Sequence, residues 1–475
     1  MVATLTRTAD RHAGRATLAI VSLAQFMLVL DVSIVNVALP VVRSDLGMTT
    51  RALQWVVTSY ALVFGGLLLL AGRGADLLGH RRMFMAGMVI FMVASLACGL
   101  APDGMFLIIA RAVEGLGAAI VSPATLSILM ATFTGEARRR ALAIWTAASI
   151  SGGAVGGLLG GVLTQEATWR LIFFINVPVG LALLAAGRAD LPLDAVATRR
   201  HRPDVVGALL VTGGVAAILF ACTAAGAEGL RSVTTGAAIA VAAMALVGFW
   251  AVERRSQAPV VPPTLVRSRE VVIGNVLGFL SFMAVFANWY FLSLYLQGVR
   301  GYSPAAVGLA FLPLTLAVIA GSQLGFAALR AFSPRVVVAG GALVAAAGLF
   351  WIGARLTPQQ TVVGILLADA WSLVGGGVIF APITVAATAA VARSFSGVAS
   401  GLLNTTRQLG GAVGLAVLST IATAYSSHAG SPGSAAGRTS GYAVAFTVGA
   451  ALFVITAAVG AFLGSAKDDG DPPLA

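Results

Sequence analysis

Three acidic side chains lie deep inside long apolar stretches of the sequence, at Asp31, Glu114 and Asp369. A charged side chain at the centre of a bilayer costs about 2.5–3.5 kcal/mol on insertion scales, so each of them is a candidate functional group. With a rise of about 1.5 Å per residue, each carboxylate lies about 10–13 Å from the outer end of its predicted helix. We therefore expect one layer of acids in which protons and cations compete.

Two arginines also fall within apolar stretches, at Arg111 and Arg407. Arg111 stands three residues before Glu114, so the two side chains share a helix face and are expected to form an ion pair. The pattern leaves open whether Glu114 carries protons or only neutralises Arg111. We predict proton coupling at Asp31, Glu114 and Arg111. Arg407 is expected to order the interior of its helix bundle, with substrate contact as the alternative.

The composition excludes an ordinary soluble enzyme. Of the 475 residues, 58% are apolar and 10% are charged, whereas soluble proteins carry about 25% charged residues. The single lysine, Lys467, excludes a Walker A nucleotide loop, and the four scattered histidines exclude an HExxH zinc helix. We expect no metal site. Cys98 and Cys222 both fall in apolar stretches, so both are expected to be buried free thiols.

Apolar stretches of about 20 residues, long enough to cross ~30 Å of hydrocarbon, recur along the chain. They predict an all-α integral membrane protein with fourteen transmembrane helices. The predicted spans are 18–39, 52–71, 83–101, 105–130, 141–163, 171–187, 205–224, 233–252, 272–296, 304–328, 336–353, 362–384, 399–424 and 441–463.

The distribution of basic residues predicts the orientation in the bilayer. With the N-terminus inside, the inner segments hold 21 basic residues and the outer loops hold 7. This excess places both termini in the cytoplasm. It also accounts for the net charge of +12 without a nucleic-acid partner. The composition, rich in Ala, Gly and Arg, favours a GC-rich bacterial genome, so the membrane expected for this multi-pass protein is a bacterial inner (plasma) membrane.

An internal repeat divides most of the predicted helices into two sets of six. Gly72 and Arg82 after the second span align without a gap with Gly325 and Arg335 after the tenth. Two such halves are common in secondary transporters, which bind substrate at their interface. Linkers that contain Arg, Pro and Asp bracket two further spans. We therefore predict a six-helix bundle, a central part with linkers and two additional spans, and a second six-helix bundle with a short tail, over 1–188, 189–270 and 271–475.

Several motifs resemble those of the major facilitator superfamily. Its loop signature GxxxDxxGxRR is matched after the second span at Gly72, Asp76, Gly79, Arg81 and Arg82. Finer motifs are similar to those of its branch of fourteen-span drug:proton antiporters, at 30–40, 54–60, 111–117, 169–180, 297–304 and 404–411. The resemblance covers all fourteen spans and implies the fold of that family.

The chain departs from the motifs of that branch at three positions. Glu114 replaces the usual glutamine of the fourth span, Gly157 replaces the proline of the fifth-span motif GxxxGPxxGG, and Leu171 replaces a second tryptophan. Small residues in the fifth span let helix backbones approach closely. This antiport-like glycine stripe comprises Gly152, Gly156, Gly157, Gly160 and Gly161.

The resemblance implies a proton-coupled exporter of hydrophobic, cationic drugs or antibiotics that works by alternating access as a monomer. The proton gradient then supplies the energy without a cofactor, and the loop signature acts as a conformational latch. A proton-coupled importer or exporter of a single metabolite is the main alternative; a membrane-bound transferase and a channel are the others. Residues expected to line a substrate cavity are Asn36, Trp55, Tyr60, Trp145, Asn288, Asp369, Asn404 and Arg407.

Overall fold

The computed structural model describes residues 2–166, 168–194, 205–229, 231–256, 261–389, 395–428 and 434–464. These residues form helices joined by short turns, and no strand occurs among them. Fourteen helical segments among the described residues are long and apolar enough to cross a membrane. The predicted all-α membrane fold and the number of spans are therefore confirmed.

Two compact units make up the chain. The first unit comprises Met1–Pro262 and Val391–Thr405, and the second comprises Pro263–Ala390 and Thr406–Ala475. The predicted three-part division of the chain stays a prediction. The helices up to the first unit boundary are α1 Val2–Asp45, α2 Thr50–Leu78, α3 His80–Gly99, α4 Gly104–Thr132, α5 Gly135–Glu166, α6 Leu171–Phe174, α7 Asn176–Asp190, α8 Val205–Glu228 and α9 Val233–Glu253.

The remaining helices follow without a strand between them in the described ranges. They are α10 Pro263–Arg267, α11 Arg269–Gly298, α12 Pro304–Ala328, α13 Pro334–Arg355, α14 Val362–Ala389, α15 Ser396–His428 and α16 Ala435–Gly460. Helix α15 begins in the first unit and continues in the second.

Short polar residues set the starts of many helices. Thr49 accepts a hydrogen bond from the backbone N–H of Ala52, and Asp103 accepts one from Phe106. Such caps satisfy donors that the first helical turn leaves without partners. Ser303 acts in the same way before α12, whose first residue is a proline; proline suits that position because its missing N–H would be unpaired there.

Packing in the first unit joins α1 to α5 and places both α2 and α3 against α4. The additional helix α8 packs against α2 and against its neighbour α9. In the second unit, α14 packs against α12 and α13, while α16 packs against α11 and α13. Helix α4, which carries Arg111 and Glu114, also contacts α1, so Asp31 on α1 and Tyr60 on α2 both lie on helices packed against it.

The second predicted span ends too early. The predicted span stops at residue 71 and leaves the signature motif in a loop, but α2 continues to Leu78. Gly72 and Asp76 therefore lie in the last two turns of a helix. Only Gly79 separates α2 from α3, and its φ of 102° is open to glycine and unfavourable for other residues. Charged residues do not end a helix; they only end its apolar part.

The sixth predicted span, 171–187, is interrupted rather than continuous. The chain forms α6, passes through a turn at Ile175, and resumes as α7 at Asn176. Pro178 explains the interruption because it has no N–H to donate to the carbonyl of Phe174. Asn176 thus stands at the start of a helix inside an apolar segment.

Candidate functional site

Arg111 lies between two buried carboxylates in the first unit. Its Nη1 donates to Asp31 Oδ2 at 2.7 Å and to Glu114 Oε2 at 2.7 Å. All three residues are at most 1% exposed. The Arg111–Glu114 pair is the one that the three-residue spacing predicts. The structure adds Asp31, which comes from a different helix, so the ion cluster joins α1 to α4.

Helix α2 fixes the position of the guanidinium. Arg111 Nε donates to the carbonyl of Val56 at 3.3 Å. The guanidinium carbon lies 4.3 Å from the ring centre of Tyr60 and 5.8 Å from that of Phe173. A cation over an aromatic face is stabilised by the ring's electrons, more strongly where water is excluded. Tyr60, predicted to line a cavity, is therefore a partner of the ion cluster.

Two further polar residues donate to the carboxylates, and a third supports one of the two donors; none of the three is a predicted site residue. Asn176 Nδ2 donates to Asp31 Oδ1 at 3.1 Å and to Ser95 Oγ at 3.0 Å. Cys98 Sγ donates to Glu114 Oε2 at 3.5 Å. Ser95 and Cys98 lie three residues apart in the part of α3 after Arg82, which is otherwise apolar, and this is the signal that could have found them.

With both carboxylates ionised, one negative charge of the cluster is not compensated. Two carboxylates share one guanidinium, and no other ion pair involves them within the described ranges. Glu114 Oε1 is buried and accepts no hydrogen bond from the described residues. Removing an unpaired charge from water costs several kcal/mol. A proton or a cation that binds here therefore stabilises the folded protein.

Three glycines of the stripe pack α5 closely against α1, the helix that carries Asp31. A Cβ on Gly156 would lie 2.6 Å from the carbonyl oxygen of Leu30, and one on Gly160 would lie 2.7 Å from that of Ile34. Gly152 makes the equivalent close approach to Phe26. By contrast, a Cβ on Gly157 would meet only Ser33 Oγ, at 3.8 Å. The close packing does not depend on position 157. The surroundings of Gly161 lie outside the described residues.

Asp76 caps the start of α15. Its Oδ1 accepts from the backbone N–H of Gly397 at 2.8 Å, and its Oδ2 accepts from Val398 at 3.0 Å. Gly72 lies against the backbone of Gly397, where a Cβ would overlap the carbonyl oxygen. A carboxylate at this position satisfies free N–H groups and interacts favourably with the helix dipole.

Arg81 and Arg82 contribute backbone groups to a second cap. Their N–H groups donate to Asp194 at 2.8 and 3.1 Å, so Asp194 caps the start of α3. Arg81 Nη2 also donates to the carbonyl of Arg188 at 2.6 Å. Gly79 is in tight contact with Asp194. Asp194 is not among the predicted site residues, because it is more than a hundred residues from the motif that it supports.

The second unit buries an acid beside an amide. Asn288 Nδ2 donates to Asp369 Oδ1 at 2.8 Å, which joins α11 to α14. Asp369 Oδ2 and Asn288 Oδ1 have no hydrogen-bond partner among the described residues. Both residues are predicted cavity residues, and the structure places them in contact. That all three buried acids line one cavity stays a prediction.

Arg407 lies elsewhere in the second unit. Its Nη2 donates to Thr384 Oγ1 at 2.8 Å. The guanidinium carbon lies 4.3 Å from the ring centre of Phe380 and 5.3 Å from that of Phe282. No acidic side chain of the described residues forms an ion pair with it, in contrast to Arg111.

The other predicted cavity residues have separate surroundings. Asn36 is exposed and donates to the carbonyl of Val32 on its own helix, at 2.9 Å. Trp55 stacks on Phe220 of α8, with the ring centres 5.9 Å apart. Trp145 is buried and its Nε1 donates to Thr125 Oγ1 at 3.3 Å. Asn404 Nδ2 has no hydrogen-bond partner among the described residues.

The family profile of the Major Facilitator Superfamily matches residues 21–415. The chain belongs to this superfamily. Its predicted family is therefore confirmed, and a multi-pass transporter, rather than an enzyme, is the class of protein that the family indicates.

Named relatives in the superfamily match nearly the full chain. A cephamycin export protein of Amycolatopsis lactamdurans is 39% identical over 463 residues, which cover 95% of this chain and 93% of that protein. A puromycin resistance protein of Streptomyces alboniger is 40% identical over 456 residues, covering 93% of this chain and 89% of that protein. A lincomycin resistance protein of Streptomyces lincolnensis is 34% identical over 444 residues, covering 90% and 88%.

Solved structures of superfamily transporters share the fold. The human organic anion transporter MFSD10 superposes with a TM-score of 0.68 at 14% identity and covers 94% of this chain and 99% of its own. A double tryptophan mutant of XylE superposes with a TM-score of 0.67 at 14% identity, covering 94% and 95%. At this level of identity the likeness concerns the fold alone, and it agrees with the predicted major facilitator architecture.

Proposed function

We propose that this chain exports hydrophobic drugs or antibiotics from a bacterial cell in exchange for protons. The names of the relatives support the export of an antibiotic, since one is an export protein for cephamycin and two others are resistance proteins. The Arg111 cluster supports the proton coupling. The distribution of arginines supports a location in the cytoplasmic membrane with both termini inside.

The observation that carries the proposal is the geometry of the Arg111 cluster. One guanidinium faces two carboxylates at equal distances of 2.7 Å. A proton on either carboxylate makes the cluster neutral while the other carboxylate keeps its ion pair. The cluster can thus alternate between two states that differ by one proton, which is what an exchanger requires.

Asp31 is the acid whose protonation has mechanical consequences. Its ion pair with Arg111 joins α1 to α4, whereas Glu114 and Arg111 belong to the same helix. A proton on Asp31 therefore weakens the α1–α4 contact, and Arg111 remains paired with Glu114. Asn176 still holds the other oxygen of Asp31, so the carboxyl group stays oriented. We assign Asp31 as the coupling acid and Glu114 as the resting partner of Arg111.

The Asp76 cap supports the latch part of the proposal. Asp76 on α2 holds the first turn of α15 through two backbone N–H groups. These hydrogen bonds can break and re-form without unfolding either helix. In the proposed cycle they hold one conformation and are released in the other.

Membrane energetics are adequate for this exchange. Each elementary charge moved inward gains about 2.3 kcal/mol per 100 mV of membrane potential. Exchange of one proton for a neutral drug draws on both the potential and the pH gradient. Exchange of one proton for a monovalent cation is electroneutral and draws on the pH gradient alone. We propose that one chain suffices for the cycle.

The test is efflux of ethidium and puromycin from cells that express the chain, with and without a protonophore. We expect protonophore-sensitive efflux that Asp31→Asn abolishes and Glu114→Gln reduces. The matched control is Glu136→Gln, because Glu136 is exposed and forms a surface ion pair with Arg139. Efflux that persists in Asp31→Asn, at equal protein levels, would remove Asp31 from the coupling mechanism.

The same cells separate the alternatives. If the intact chain moves neither probe out of cells, transport of a single metabolite becomes the better hypothesis. Accumulation of a probe in energised cells would indicate import. Efflux that a protonophore leaves unchanged would contradict proton coupling while leaving drug export in place.

A further inference from the structure

We propose that Arg407 is an anion site in the second unit and takes the carboxylate of an aromatic or otherwise apolar substrate. That the ligand is a transported substrate rests on the proposed function; the site itself does not. The proposal adds an acidic group to the chemistry expected from the buried carboxylates, which alone favour cations.

Arg407 has no counter-ion among the described residues. Arg407 is 5% exposed, yet no acidic side chain of the described residues forms an ion pair with it. Its only described hydrogen bond to a side chain goes to the neutral hydroxyl of Thr384. Arginine stays protonated in proteins, so the positive charge persists. A buried charge of this kind is costly unless an anion approaches it.

The guanidinium of Arg407 also has a hydrogen-bond donor that no described residue uses. Arg407 Nε is buried and has no hydrogen-bond partner among the described residues. The Thr384 hydroxyl donates to the carbonyl of Phe380 at 2.8 Å, so its oxygen accepts from Arg407 Nη2 and orients the guanidinium. The planar fork of arginine matches a carboxylate better than it matches a spherical ion.

Two aromatic rings form an apolar surface beside the guanidinium of Arg407. The rings of Phe380 and Phe282 lie 4.3 and 5.3 Å from the guanidinium carbon. Both residues are only half-buried, so part of each ring stays open to a ligand. Aromatic faces favour offset or edge contacts with a second ring. Charge and aromatic surface together fit an acid with an apolar body.

Close helix packing holds the site in place. On α15, a Cβ at Gly410 would overlap the carbonyl oxygen of Phe279, and one at Gly414 would overlap the backbone of Met283. These contacts press α15 against α11 on either side of Phe282. This packing holds the backbone of Arg407 beside Phe282, and the hydrogen bond to Thr384 orients the guanidinium, so the site is preorganised.

The experiment is equilibrium binding of 1-naphthoate to the purified full chain in detergent, in gluconate buffer. Two comparison probes keep the naphthalene ring and replace the carboxylate: neutral 1-naphthamide, which has the same shape, and cationic 1-naphthylmethylammonium. We expect saturable binding of 1-naphthoate, at least about tenfold tighter than that of the amide, since a hydrogen bond to a charged group contributes that much. Arg407→Gln should remove this preference.

Two further variants make the result specific. Arg407→Lys keeps the charge but loses the fork, so we expect part of the preference to remain. Arg355→Gln is the matched control, because Arg355 is exposed at the end of α13 in the same unit. It should bind 1-naphthoate as the intact chain does. Comparing variants also removes the contribution of probe dissolved in the micelle.

Equal binding of the acid and the amide would overturn the proposal, and so would an undiminished preference for the acid in Arg407→Gln. Displacement of 1-naphthoate by chloride at equal concentration would also overturn it, because it would indicate a site for small inorganic anions. The measurement needs no membrane and no gradient. Specific 1-naphthoate binding without any efflux would therefore contradict the proposed function alone, while efflux of ethidium without 1-naphthoate binding would contradict the anion site alone.

Discussion

Arg111 and Arg407 are both buried arginines on long apolar helices, one in each unit, and their surroundings differ. Arg111 has two carboxylates at 2.7 Å and an aromatic ring beneath its guanidinium. Arg407 has two aromatic rings and a hydroxyl, and no described carboxylate pairs with it. Asp369, the buried acid of the second unit, has a neutral amide as its described hydrogen-bond partner.

Buried charges have different effects on stability in the two units. In the first unit the charges hold helices together, so removal of the central cation leaves two carboxylates that repel each other. In the second unit the charges cost stability and have no described partner of opposite sign. Breaking a buried ion pair is strongly destabilising, whereas removing an unpaired buried charge is not. A substitution at Arg111 should therefore destabilise the protein, whereas one at Arg407 should leave its stability nearly unchanged or raise it.

The largest expected effect is that of Arg111→Gln. It leaves Asp31 and Glu114 buried without a cation, and we expect a loss of about 3–5 kcal/mol in the free energy of unfolding, seen as lower yield and lower melting temperature in detergent. The double substitution Arg111→Gln with Asp31→Asn restores the native net charge of the cluster and should recover part of the loss. A double variant no more stable than Arg111→Gln would contradict the electrostatic explanation.

The second effect concerns the helix contact beside Asp31. Gly156→Ala places a methyl group 2.6 Å from the carbonyl oxygen of Leu30, so α1 and α5 must separate; overpacking of this kind costs about 1–3 kcal/mol. Gly157→Ala is the matched control, since its methyl group would meet only Ser33 Oγ at 3.8 Å. Melting temperatures of the two variants check the prediction, and equal values would show that the contact is not rigid.

The third effect is that of Asp76→Ala on the start of α15. Loss of a capping side chain costs about 0.5–2 kcal/mol, so we expect a modest fall in melting temperature. If the cap is a latch, efflux should fall much more than stability does. Asp103→Ala serves as a control, because Asp103 also caps a helix, α4, but contacts its own first turn only. Equal losses of efflux in both variants would argue against a latch.

The smallest expected effect is at the unpaired charges of the second unit. Arg407→Gln removes a buried charge and Asp369→Asn removes a buried acid, and neither group has a described counter-ion. The free energy of unfolding should therefore stay within about 1 kcal/mol of that of the intact chain or rise. Thermal unfolding of the two variants beside Arg111→Gln tests this directly. A fall as large as that of Arg111→Gln would mean that the two units do not differ in the way described.

Much of the helical architecture could be predicted from the sequence, because apolar length and the placement of arginines are local properties. The Arg111–Glu114 pair could be predicted for the same reason, since a three-residue spacing on a helix determines which side chains meet. Asp31 could be singled out as a buried acid, but its partner could not, because Asp31 and Arg111 are 80 residues apart.

The parts that sequence reasoning missed depend on contacts between distant segments. Asn176 reaches Asp31 across 145 residues, and Asp194 reaches Arg81 across 113. The end of α2 was misplaced for another reason: hydropathy reports where the apolar segment stops, and the helix continues beyond it to Gly79. Hydrogen bonding and glycine geometry, rather than hydropathy, determine that boundary.

The thiol of Cys98 offers a way to follow the cluster in time. It is fully buried and lies 3.5 Å from Glu114 Oε2, so a charged, membrane-impermeant thiol reagent can reach it only when water reaches the carboxylates. In a Cys222→Ser background Cys98 is the sole cysteine of the chain. The rate at which Cys98 is modified then measures how often the site opens. Comparing right-side-out with inverted vesicles shows toward which face of the membrane it opens.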